Sequence, residues 1–339
     1  MKKMLLFLLV LIIPNITKAH VGYIVGEEVM EKHVGKDLSF LLTPFSNIEY
    51  IGLMLLFVVL VFIGYFVLTK TLWGKKWSER INEKLTSYHE LIPWIIRLSL
   101  GIALIGAGTE QVLISPLLKD ISLGSLQIVL GFMFMAGFLL VPATLTSIVL
   151  YFIALSKNIY ILGNLDFLVL LLGFLVFHSA RPGIDDVLNI SILKKIKIHR
   201  LFLAPLLRFG IGIGMIYLAL YEKLLNPHFM ELVVHESNLA SVIPVSPEMW
   251  VLSTGIIELA VGLCLLIGYK TRAVSVIAIL VLSLSFFYFK EAVYSHITLF
   301  GTLSILTIES SGVFSIDALR KKRESQKLQN KIFQQSITQ

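Results

Sequence analysis

Over most of this chain apolar residues neither alternate nor recur at the spacing of an amphipathic helix. They run on for roughly 18 to 22 positions at a time, the length a helix needs to cross a hydrocarbon core about 30 Å thick. Such runs predict helices near 49 to 70, 92 to 114, 123 to 141, 143 to 157, 163 to 180, 201 to 222, 248 to 268, 272 to 289 and 292 to 309. A single helix over 123 to 157 would be about 52 Å long at 1.5 Å per residue, so the chain is expected to reverse at Pro142. The pattern therefore predicts an all-α integral membrane protein of about nine transmembrane helices, one leading helix followed by two parallel four-helix bundles.

The polar breaks between the runs orient them. Lys2 and Lys3, the apolar stretch from Met4 to Pro14 and the ending Thr17-Lys18-Ala19 form the three parts of a signal peptide over 1 to 19, which would leave His20 as the first mature residue of a short extracytoplasmic segment, 20 to 48. Residues 49 to 91 hold the first transmembrane helix and an inner-surface amphipathic segment with Trp73 and Trp77, 187 to 200 a cytoplasmic basic linker, and 318 to 339 a solvated, partly disordered cytoplasmic basic tail. With the mature N-terminus outside and the C-terminus cytoplasmic, the inner segments carry 18 basic residues and the outer ones 6. A positive-inside bias of that size fits a multi-pass protein of a prokaryotic plasma membrane, and reading 123 to 157 as one span would invert every later loop.

Composition narrows the chemistry. The 339 residues are 56% hydrophobic and 15% charged, with a mean hydropathy of +0.85, which excludes a soluble globular domain and makes the lipid bilayer the main partner. The net charge of +7 sits in short segments between spans, where it serves orientation and not nucleic-acid binding. A lone cysteine, Cys264, excludes an internal disulfide, a paired-thiol redox motif and covalent haem attachment.

Residues 92 to 186 and 201 to 317 read as two copies of one four-helix unit. Arg97-Leu98-Ser99-Leu100-Gly101 opens the first and leads to Glu110; Arg208-Phe209-Gly210-Ile211-Gly212 opens the second and leads to Glu222. The hairpin AGFLLVPATLTS at 136 to 147 pairs with VGLCLLIGYKTR at 261 to 272, and RPGIDD at 181 to 186 with SGVFSID at 311 to 317. Arg208 with its glycine-rich helix, Glu258 in GIIELAVGLCLLIGYKTR, His296 in YSHITLFG and the closing GVFSID resemble the DoxX family of four-helix membrane proteins. In the first copy Met133 stands about where Glu258 would be and Phe167 about where His296 would be, so a polar site carried by this resemblance is expected in the second copy alone. The resemblance implies a tie to membrane quinol or sulfur-compound oxidation.

Glu258 lies about ten residues into its helix, where an ionised carboxylate is costly unless paired or facing water. Arg208, Glu222, Glu258 and His296 are the candidate quinone or proton site, with a structural Arg208–Glu258 ion pair as the competing reading. His178 and His296 differ in depth by about 15 Å, so they cannot share one haem. The GIGIG run at 210 to 214 follows no strand and fits close helix packing better than dinucleotide binding. On the outer side His228, Glu231 and His235 follow each other at steps of three and four, and with His20 they form a candidate copper or zinc site. No flavin, haem, iron–sulfur or nucleotide motif is present. The sequence thus suggests a membrane subunit of a quinone-linked respiratory or sulfur-compound oxidoreductase system whose partner carries the redox centre; the alternative is a non-catalytic scaffold, or a copper- or zinc-handling protein with an extracytoplasmic partner.

Overall fold

A computed structural model describes residues 32–177, 183–188 and 200–337. The signal segment, His20, His178 and most of the linker at 187 to 200 lie outside the described residues. Those described are helical with no β-strand; one isolated bridge joins Val112 to Lys119. In chain order the main helices are α1 (Ile48–Lys70), α2 (Leu72–Thr86), α3 (Ile92–Thr109), α4 (Gly124–Ala136), α5 (Leu140–Lys157), α6 (Leu165–Phe177), α7 (Leu203–Leu218), α8 (Pro227–Glu236), α9 (Pro247–Ile267), α10 (Thr271–Phe289), α11 (Val293–Glu309) and α12 (Ile316–Ile337).

Among the described residues seven helical stretches are long and apolar enough to cross a membrane: Ile48–Val67, Glu79–Thr109, Leu140–Lys157, Ile159–Val176, Arg200–Leu224, Pro247–Ile267 and Thr271–Phe289. Two of the nine expected spans are shorter. The run at 123 to 141 forms only the 13-residue α4, because Gly137 enters the left-handed region at φ 70° and ends the helix there. The reversal expected at Pro142 therefore comes five residues earlier, and Pro142 sits in the first turn of α5, where a missing N–H costs nothing. The ninth, α11, has 17 residues. The tail, expected to be solvated and partly disordered, forms the 22-residue helix α12, with the described side chains from Leu319 to Asn330 exposed.

The chain divides into two compact bodies, each assembled from separated stretches. One comprises residues 1–92, 215–260 and 283–293, the other 93–214, 261–282 and 294–339. In the first, Phe229, Val233, Val234 and Val251 are buried around α8, while α1 presents apolar side chains outward along its length, as a helix solvated by lipid does. In the second, Leu100, Leu104, Phe134, Leu140, Leu170, Leu207 and Leu303 form the buried core.

Small residues set the spacing of that second body, and the same contacts occur twice. A Cβ at Gly101 would meet the Gly131 carbonyl at 3.0 Å and the Met135 side chain; one at Gly212 would meet the Gly262 carbonyl at 2.9 Å and Leu266. Likewise a Cβ at Gly301 would collide with Ser99, and one at Gly210 with Val169. Close backbone approach through small residues is how membrane helices gain packing energy where lipid competes for apolar contacts.

Candidate functional site

Each opening arginine of the sequence holds down the end of another helix. Arg97, fully buried, donates from Nε to the Phe134 carbonyl at 2.9 Å and from Nη2 to the Met135 carbonyl at 2.8 Å. These carbonyls belong to the last turn of α4, just before Gly137, where the i→i+4 ladder ends; the Phe134 carbonyl also accepts from the Gly137 N–H at 3.2 Å. Gly137 must be glycine twice over: its φ is positive, and a Cβ would strike the guanidinium and Gly183. Asp185 completes the turn, accepting from the N–H groups of Leu139 (2.8 Å) and Leu140 (3.0 Å) at the start of α5 while its own N–H donates to the Gly137 carbonyl at 2.9 Å.

Arg208 builds the same bracket from equivalent parts. Its Nη1 donates to the carbonyls of Leu265 (3.3 Å) and Leu266 (3.2 Å), and its Nη2 to those of Val313 and Phe314, both at 3.1 Å. Gly268 has φ 68°, and Asp317 caps Lys270 (3.0 Å) and Thr271 (3.3 Å) while donating its N–H to the Gly268 carbonyl at 3.2 Å. The turns match Gly137 with Gly268, and the close packing matches Gly131 with Gly262, so the hairpin pairing written from the sequence is six residues out of register. Arg208 is thus occupied by backbone carbonyls, and the ion pair expected with Glu258 is made by another residue.

That residue is Lys223. After α7 the helix widens into a π-helical turn over Ala219–Leu224, in which the Leu225 N–H reaches back five residues to the Leu220 carbonyl at 2.7 Å. Single π turns inside α-helices mark places where a side chain is re-aimed, often at functional sites. Lys223 Nζ lies 3.0 Å from Glu222 Oε2 and 2.6 Å from Glu258 Oε2. Gly255, one turn before Glu258, lets α9 approach this turn: a Cβ there would sit 3.2 Å from the Lys223 Cβ and 3.0 Å from Leu224. Burial is graded along the triad. The Glu222 side chain is 1% exposed, Lys223 11% and Glu258 22%, so the outermost carboxyl can be reached and the innermost cannot. Two carboxylates share one ammonium, so the cluster is electrically neutral only with one proton added. In a low-dielectric setting the neutral form is strongly favoured.

The remaining candidates lie elsewhere. His296 belongs to the other compact body, is buried, and has its Nδ1 2.8 Å from the Ser295 hydroxyl. His228 and Glu231 do meet, Nδ1 to Oε2 at 2.6 Å, and His228 Nε2 faces Asp37 Oδ2 at 3.3 Å. The carboxylate of Glu231, with Asp37, holds the His228 imidazolium above its ordinary range, while the Ser39 hydroxyl and the Phe40 N–H hold Asp37 below its own. His235 Nε2 stands 3.9 Å from Glu231 Oε1. The cluster fastens the chain before α1 to α8, aided by Gly35 N–H donating to Asn226 Oδ1 at 3.0 Å. Among the described residues no group of three or more His, Cys, Asp and Glu side chains is arranged to hold a metal ion.

The DoxX family model matches residues 203–291. That stretch is similar to the DoxX domain. It contains Arg208, Glu222, Lys223 and Glu258, and it ends before His296 and Asp317. No curated protein and no solved structure matches the chain.

Sequence reasoning missed two groups within this stretch. Lys223 directly follows the run expected to span at 201 to 222 and so counts among the six outer basic residues, whereas it lies within the helical stretch Arg200–Leu224. The available signal was its place directly after Glu222 at the end of an apolar run, with glycine three residues before Glu258. Glu291, between α10 and α11, is also buried; burial pushes its carboxyl up to about 7, against a hydrogen bond from the Ser285 hydroxyl that lowers it.

Proposed function

We propose that this chain is the membrane subunit of a quinone-linked oxidoreductase system, and that Glu222, Lys223 and Glu258 form its proton-exchanging quinone headgroup site. The observation that carries the reading is the triad itself: a partly accessible carboxyl, an ammonium behind it and a fully buried second carboxyl, on two helical stretches each apolar enough to span a bilayer. The donor set suits the ligand, because a quinone presents carbonyl oxygens that accept hydrogen bonds from an ammonium or a protonated carboxyl. Interconversion of quinone and quinol moves two electrons with two protons; the electrons pass through a redox centre on a partner protein, one proton passes through Glu258 and the other is exchanged with water. Glu258 gives or takes the proton at the accessible end, Lys223 balances whichever carboxylate is charged, and Glu222 holds the ammonium from the buried side.

Arg208 is excluded from the ligand's contacts in this reading, since four carbonyls already occupy it. The two arginine brackets, with their matching close contacts, support a duplicated origin for 92 to 186 and 201 to 317, in which the second copy alone keeps the charged site. The setting is a prokaryotic plasma membrane with α12 on the cytoplasmic side, in line with the charge bias.

The test is quinone-analogue binding and thermal stability on wild type, Glu258→Gln and Lys223→Met. Glu258→Gln leaves a balanced Glu222–Lys223 pair, so it is expected to fold with undiminished stability and to lose analogue binding. Binding that survives this substitution, or is absent from the wild type, would remove the site from quinone chemistry and leave the protein a scaffold.

A further inference from the structure

The start of α12 is fixed at the end of the membrane-spanning helices. Asp317, its second residue, accepts from the N–H groups of Lys270 and Thr271 in the turn that leads into α10, and the Ser315 hydroxyl accepts from the Ala318 N–H at 3.0 Å. Arg320, one turn later, stands over the ring of Tyr269 in the same turn, 5.0 Å from its centroid. The helix therefore does not trail away from the bundle; its first two turns begin where the spans end.

The helix from there carries Arg320, Lys321, Lys322, Arg323 and Lys327, all exposed, with Glu324 the single acid between them. Five cations in eight positions repel each other and gain nothing from water that separated charges would not gain more. Immediately before them the chain exposes large apolar groups at the same end. Phe314 is 70% exposed and stacks on Phe202 at 6.2 Å, and Leu319 is 59% exposed. Phe314 holds φ 56°, uncommon for a bulky residue, which turns its carbonyl towards Arg208. Aromatic and apolar groups beside a dense run of Lys and Arg next to a span end are the two halves of an interfacial anchor. The apolar groups enter the headgroup boundary and the cations meet anionic lipid.

We propose that the start of α12, with Phe314 and Leu319, is a binding surface for anionic phospholipid headgroups. The inference stands on the membrane reading of the spans and is independent of the quinone site. Near an anionic surface each Lys or Arg contributes about 1 kcal/mol, so neutralising three of the five weakens the contact on the order of 100-fold. The chemistry recognised is a phosphate monoanion presented at a bilayer surface. An acidic protein or nucleic acid would match the cations but leave Phe314 and Leu319 in water.

The experiment is amide hydrogen exchange over residues 318 to 330 of the full chain in nanodiscs of phosphatidylcholine alone or with phosphatidylglycerol. Exchange is expected to slow about tenfold in the anionic discs, and the slowing to fade in high salt. It should also be lost in the Lys321→Gln, Lys322→Gln, Arg323→Gln triple variant. Those side chains are exposed and glutamine keeps helix propensity, so the variant folds. Equal exchange in both compositions, or slowing that persists in the triple variant, overturns the proposal. So does protection that appears only on adding a soluble polyanion.

Discussion

Gln127 and Glu258 stand at the same distance from the glycines that end their helices, ten residues before Gly137 and Gly268 respectively. They solve the problem of a polar group in that place in opposite ways. Gln127 is fully buried; its amide nitrogen donates to the Val112 carbonyl at 2.7 Å and its oxygen accepts from the Ile114 N–H at 3.0 Å. Donor and acceptor are both met by a loop of backbone, and no charge or exchangeable proton is involved. Glu258 has an ammonium for a partner and a second carboxylate behind that, and it remains partly reachable. The arginine brackets that close the two helices are alike, while these two polar positions differ. One position is a closed structural tie; the other retains charge and access, the properties that chemistry requires.

The comparison breaks most sharply if the two places are made alike. Gln127→Glu sets a carboxylate where no ammonium waits, and Lys223→Met leaves two carboxylates without their cation. Each is expected to cost about 3 to 5 kcal/mol, measured as a fall in thermal stability in detergent. Tolerance of Gln127→Glu would mean that the first place is as open to charge as the second. Arg97→Met and Arg208→Met test the shared frame. Each strips charged donors from helix-end carbonyls, for an expected loss of about 3 kcal/mol or more. A loss at only one of the two would show that the brackets are alike in geometry but not in weight.

The smallest effect concerns pH. A carboxyl whose folded pKa is raised is stabilised in its protonated form, so Glu291 favours folding most fully below its unfolded pKa near 4.5, and that contribution is lost as pH rises through about 7. Wild-type stability should therefore decline between those values relative to Glu291→Gln, which has no proton to lose. Parallel profiles would show that Glu291 is solvated.

Much of the fold was readable because lipid imposes a simple rule: apolar runs of sufficient length become helices, and Lys and Arg gather between them. The arginines and the closing aspartates were also visible as repeated letters. Their partners were not, because Arg97 and Arg208 bind backbone carbonyls, which every residue type supplies alike. The register of the turns was hidden for a related reason. Gly137 and Gly268 are set by backbone conformation, while the glycines at 131 and 262 serve packing, and the letter is the same. Lys223 was concealed by a π turn, which keeps a charged residue in the helix past the point where hydropathy marks its end. Gln127 was overlooked because an uncharged amide raises no alarm in an apolar run, although burial makes its two hydrogen bonds obligatory.

The central claim is that Glu258 takes up or releases a proton, with Lys223 balancing the charge, when a quinone-like ligand arrives. Calorimetric titration of a quinone analogue into the wild-type protein, repeated in buffers of different ionisation enthalpy, measures this directly. The expected result is a heat that varies with the buffer for the wild type and is absent for Glu258→Gln. Binding with the same heat in every buffer would contradict it.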